Sequence, residues 1–260
     1  MLNKPFRYFA IGALIAACFG GYFVWTRRPS TAATAAAYNP LITPANKDLT
    51  SKPRTHRDTS DINSEDFVRE INNKYFTLKP GMKFTYQNGA GTERVEITVT
   101  SETRELMGVT TRGVRITERS LGAVKDDTID WYAQDKTGNV WFFGEADNIF
   151  RNKKLVSPAR AWEAGVNGAK PGVIMRADPW VGTTYPQEYH GGRADDMAAV
   201  IATDKKITVP YGTFENCLQI RDSSSVENEY KYYCPAVGFL VREETIHGAV
   251  KSHLIGVSTQ

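Results

Sequence analysis

Apolar and polar residues alternate along most of this chain from residue 78 onward. In 94–100 the apolar Val95, Ile97 and Val99 fall on one face, the period-two pattern of a half-buried strand. The same reading predicts strands at 82–87, 107–118, 124–132 and 149–156. It continues at 184–189, 197–203, 206–209, 214–221, 229–233, 239–244 and 250–257. Strands this close together, with turn residues between them, predict a mainly β fold: a single large antiparallel sheet or half-barrel. One short N-terminal helix is predicted before it. Ser64 offers an N-cap, Glu65 and Asp66 suit a first turn, and Phe67, Val68 and Ile71 share a face.

The stretch 131–145, WYAQDKTGNVWFFGE, organises the rest. Two aromatic runs flank Asp135-Lys136-Thr137-Gly138, a turn closed by a glycine. With Asp135 opposite Asn139, Ala133 faces Trp141, Tyr132 faces Phe142 and Trp131 faces Phe143. Opposed residues share a sheet face, so large aromatics project from both faces of this ribbon. Either both faces are covered, or one lines a groove. Segment 157–182 is rich in proline and glycine, with only 173–175 reading as strand. It predicts a long loop flanked by Trp162 and Trp180. A groove lined by Trp131, Trp141, Phe143, Trp162 and Trp180, gated by that loop, would hold an acyl chain or other apolar ligand. Core packing explains the same aromatics without a ligand.

The N-terminus changes the setting. Residues 8–26 are nearly all apolar, with Lys4 and Arg7 before them and Arg27 and Arg28 after, the pattern of an export signal or membrane anchor within 1–28. Nineteen residues are just enough for an uncleaved transmembrane helix with Tyr8, Tyr22 and Trp25 near its interfaces. Alternatively, Ile15-Ala16-Ala17-Cys18 resembles a lipobox, in which Cys18 would be lipidated. Both versions place the remainder on the extracytoplasmic side of a cell membrane. Residues 29–60, rich in Ala, Thr, Pro and Ser, read as a flexible linker, and 61–260 as one β domain.

The net charge of +3 is uneven. Residues 1–60 hold eight Lys/Arg and two Asp/Glu, +6, which leaves 3 − 6 = −3 for 61–260. The folded part has no general attraction for nucleic acid. The expected partners are the membrane, a lipid or apolar ligand, or another envelope protein.

Several motifs together resemble a family of exported bacterial proteins. They are LKPGMKFTY at 78–86, the 131–145 stretch, AGVNGAKPGVIM at 164–175, GTTYPQEY at 182–189, VPYGTF at 209–214 and YYCPAVG at 232–238. Members of this family are lipoprotein-like or membrane-anchored and β-rich, with no defined activity. The resemblance implies location and architecture, and it carries over no catalytic residue.

Cys217 and Cys234 lie in adjacent predicted strands, and their positions sum to 451. A hairpin centred between Ser225 and Val226 sets them opposite each other, which predicts a disulfide in an exported domain. His190 with Glu188, Asp195, Asp196 and Glu163 is the one grouping suited to hydrolytic acid–base chemistry, and a solvated hairpin end explains it equally. Asp126, Asp127 and Asp130 lack the glycine and terminal Glu of a calcium loop. No nucleophile elbow, metal-ligand spacing or cofactor motif is present, so no metal or cofactor is expected. The sequence favours an apolar-ligand or lipid-binding role, then an interaction or structural module, then a hydrolase.

Overall fold

The computed structural model describes residues 62–259 except 153, 158–160, 191–192 and 225–227; the side chains of 151, 156–157, 190 and 193–195 are also left out. The predicted anchor 1–28, with Cys18, and the linker 29–60 lie outside the described residues. No helix among the described residues is long and apolar enough to cross a membrane.

The chain is mainly β. A strap opens it: β1 (Phe67–Val68), β2 (Asn72–Asn73) and β3 (Phe76–Thr77). The first meander follows, with β4 (Met82–Gln87), β5 (Glu93–Leu106), β6 (Val109–Ser120), β7 (Ala123–Asp135) and β8 (Val140–Arg151). Three short pieces come next: β9 (Lys154–Ser157), β10 (Trp162–Glu163) and β11 (Lys170–Met175). The second meander holds β12 (Thr184–His190), β13 (Arg193–Val209), β14 (Gly212–Ser224), β15 (Asn228–Cys234), β16 (Phe239–Thr245) and β17 (Val250–Thr259).

Twelve of these strands close a ring. The order β7-β6-β5-β4-β17-β16-β15-β14-β13-β12-β11-β8 returns to β7, every neighbour antiparallel. The predicted half-barrel is therefore a closed barrel. Closure removes the unpaired edges that an open sheet would expose. Apolar Val95, Ile97 and Val99 point inward as the alternation requires. Outward positions carry ion pairs such as Lys83–Glu96 at 3.1 Å.

The strand that closes the ring, β11, lies in the segment expected to be mostly loop. β9, β10 and β11 run along one edge of β8, pairing Phe150 with Leu155, Trp162 with Glu145 and Gly172 with Phe142. They act as one interrupted strand. Two glycines let the backbones meet there. A Cβ on Gly144, whose φ is +142°, would overlap the Trp162 carbonyl oxygen. A Cβ on Gly172 would overlap the Gln187 backbone. Proline and glycine in 157–182 marked a tight seam, not a free excursion.

Three further expectations change. Residues 64–71 form no α-helix: a 3-10 turn spans Ser64–Asp66, capped by Asn63, and β1 then pairs with Gln134 and Asp135 of β7. A strand partner was available, so Phe67 and Val68 joined it. The strands expected at 197–203 and 206–209 are one bulged strand, β13. Ala133–Trp141 and Tyr132–Phe142 pair as expected, but Trp131 stands opposite Gly144 because a bulge absorbs Phe143.

Candidate functional site

The aromatic ribbon is covered on both faces. On one, Phe67 of the strap packs edge-on against Trp141 and Phe143, with ring centroids 6.2 and 5.5 Å apart. On the other, Phe142 stacks on Tyr132 and meets Trp162 edge-on at 5.2 Å. Phe76 of β3 is fully buried and touches Tyr132, Tyr233 and Phe239. The strap thus drives an aromatic plug into the barrel. Trp131, Trp141, Phe143 and Trp162 are all buried in one contiguous core. Trp180 stands apart from them, 43% exposed in the turn before β12, with the Arg176 guanidinium over its ring at 5.0 Å. Four of the five proposed ligand contacts come together as core, and the fifth is on the surface.

The turn of the central hairpin is tied by one carboxylate. Asp135 accepts from the Thr137 and Asn139 backbone N–H groups, both their side chains and the Trp141 indole. Burial works to raise its pKa, but those hydrogen bonds outweigh burial and hold it below the usual carboxylate range. Beside this turn lies an open cleft of about 520 Å3, bordered by Arg69, Glu70, Asn72 and Lys136. All four are exposed, so the cleft is a solvated groove.

The remaining predicted groups separate. Glu163 forms an ion pair with Arg104 at 2.7 Å. Glu188 and Asp196 are buried and pair across β12 and β13. The side chains of His190 and Asp195 lie outside the described residues. Asp127 binds Arg115 at 2.5 Å and Asp130 receives the Tyr132 hydroxyl at 2.7 Å. Among the described residues no three His, Cys, Asp or Glu side chains converge as metal ligands.

Cys217 and Cys234 form the predicted disulfide. Beyond it, on the same two strands, lies the chemistry that sequence reasoning missed. Lys231 is fully buried inside the barrel. Register places Ile220 of β14, Lys231 of β15, Glu243 of β16 and Ser252 of β17 on one rung, with Asp222 and Glu229 on the next. Lys231 Nζ contacts Asp222 Oδ2 directly and Glu229 Oε1 at 3.1 Å. Lys251 holds the other Glu229 oxygen. The Gln187 amide donates to Asp222, and Ser252 Oγ donates to Glu243 Oε2 at 2.8 Å. Glu243 Oε1 and the buried Tyr185 and Tyr233 hydroxyls have no hydrogen-bond partner among the described residues.

Electrostatics divide this cluster. Burial pushes the Glu243 carboxyl up to about 8, helped by the Glu229 carboxylate, so Glu243 holds its proton at neutral pH. Burial also raises Asp222, with Lys231 opposing it. Lys231 is driven toward neutrality by burial, yet Asp222 and Glu229 outweigh that and raise its pKa. With Glu243 neutral, two ammonium and two carboxylate groups balance to zero, which makes a cluster this deep tolerable.

Sequence could not mark these positions easily. In Glu229-Tyr-Lys-Tyr-Tyr233 a lysine between tyrosines reads as a solvent-facing position, yet Lys231 is fully buried while Tyr230 is only half-buried. The one available signal was spacing: Asp222 and Glu229 also sum to 451, the register of the disulfide. No family model, curated protein or solved structure matches the chain.

Proposed function

We propose that this protein is a membrane-tethered module of the cell envelope that works as a rigid scaffold and meets another envelope protein through its surface. The observation that carries this reading is the coverage of the aromatic ribbon on both sides, by Phe67 outside and Phe76 within. A carrier of acyl chains needs an apolar space it can fill and empty. Here those aromatic faces are already filled by side chains of the chain itself, and β10 and β11, from the segment expected to gate them, are paired into the sheet. The basic, apolar start of the chain supports the tether.

The surface that fits a partner is the turn before β12. Trp180 and Val181 are exposed there, Arg176 stacks on Trp180, and Ile201 lies near the Gly182–Val200 hydrogen bond. Trp and Arg are the residues that most often anchor protein interfaces.

A photo-crosslinking amino acid at Trp180, introduced in cells making the full-length chain, tests this. The expected result is one discrete protein adduct, absent when the same group sits at Leu121 in the β6–β7 turn. Native mass spectrometry of the protein extracted from its own membrane supplies the opposing outcome. A stoichiometric acyl ligand released only on unfolding would restore the apolar-ligand reading and overturn this one.

A further inference from the structure

The buried cluster holds a primary amine against a carboxyl group inside the barrel, and the scaffold role makes no use of that chemistry. We propose that Lys231 and Asp222 condense to an intramolecular amide, tying β14 to β15 beside the Cys217–Cys234 disulfide. This inference does not depend on the partner surface at Trp180.

Three features favour the reaction. The first is placement. Lys231 Nζ already touches Asp222 Oδ2, and the register of β14 on β15 holds both residues there. Fixed geometry of this kind gives effective molarities of about 10⁵–10⁸ M, enough to drive a condensation that is sluggish between free groups in water. The second is polarity. Both groups are buried, so moving one proton from the ammonium to the carboxylate gives a neutral amine and a neutral acid without changing the net charge. Those are the reactive forms. The third is the surround. The Gln187 amide donates to Asp222, where an oxyanion would develop, and Glu243 stands opposite Lys231 on β16 with Oε1 unpartnered. Glu229 is the competing acceptor, but Lys251 holds its second oxygen.

The step balances. The Lys231 amine attacks Asp222 Cγ, forming one C–N bond and a tetrahedral centre. Glu243, which starts protonated, supplies its proton to the departing hydroxyl, and the carboxylate so formed takes one back from nitrogen. One C–O bond breaks and one water leaves. No oxidant, reductant or cofactor takes part. Glu243 ends as it began, which makes it a proton shuttle.

Trypsin reads the outcome directly in the full-length protein. Arg221, Lys231 and Arg242 are consecutive cleavage sites in this region. An unlinked chain, reduced and alkylated, yields peptides 222–231 and 232–242. A linked chain is not cut at Lys231, so it yields one peptide, 222–242, lighter by one water and without backbone fragments inside the ring. The linked peptide should predominate in protein purified from its membrane. In chain refolded from denaturant it should appear only after folding. Glu243→Gln, which keeps a neutral group of the same shape, should slow linkage at least tenfold, and Asp222→Ala should abolish it. Wild-type 222–231 and 232–242 recovered at full mass would overturn the bond. Unchanged linkage in Glu243→Gln would overturn the shuttle.

Discussion

The Trp141 indole N–H donates to the Asp135 carboxylate at 2.9 Å, joining a buried tryptophan of the central hairpin to the residue that shapes its turn. The same carboxylate organises Thr137 and Asn139. Removing it leaves several buried donors unsatisfied at once. Asp135→Ala should cost about 2–4 kcal/mol in urea denaturation at pH 7. The native pKa of Asp135 is lowered, so its contribution is complete above the unfolded value and fades as pH falls through the native one. In Asp135→Asn the acid-side loss of stability should be shallower than in wild type. An identical acid limb in both proteins would refute that assignment.

Glu243 carries the opposite sign. Its native pKa of about 8 lies above the usual carboxyl value, so the folded state binds a proton that the unfolded state releases. Its share of stability is complete below the unfolded pKa and is lost as pH rises toward 8. Glu243→Gln should therefore flatten the decline between pH 5 and pH 8, gaining on the order of 3 kcal/mol over wild type at the alkaline end. Denaturant midpoints at pH 5, 7 and 9 check this. A variant that tracks wild type across the range would show that Glu243 titrates normally.

Phe76 contributes through volume. It fills space between Tyr132, Tyr233 and Phe239. Phe76→Ala should cost about 3–5 kcal/mol. It should also open an apolar void that takes up a hydrophobic dye which the wild-type protein excludes. Dye uptake already present in the wild type would contradict the filled barrel.

Gly172 tests the seam. A Cβ there meets the Gln187 backbone, which cannot rotate away as a side chain would. Gly172→Ala should destabilise by about 1–3 kcal/mol or more. Hydrogen exchange should rise locally in 140–145, 170–175 and 186–189, while 82–100 stays protected. Uniform loss of protection would mean the seam is not a separate weak point.

Local signals in the sequence were enough to determine most strands of the two meanders, the turn at Asp135–Gly138 and the register of two hairpins close to their turns. Alternation reports a strand because side chains of an extended chain alternate whatever surrounds it, and a glycine turn sets register between neighbours in sequence. That is why Ala133 met Trp141 and Cys217 met Cys234 as predicted. Tertiary structure decided what non-local neighbours control. Phe67 and Val68 became a strand because Gln134 and Asp135 of β7 extend past its ladder with β6, against their helical spacing. β10 and β11 joined the sheet because Gly144 and Gly172 let backbones approach, a property visible only once the neighbouring strands are placed. Lys231 turned inward because the carboxylates of Asp222 on β14 and Glu229 on β15 were there to meet it. Alternation says that two faces differ, but which face is inside depends on what the rest of the barrel brings to it.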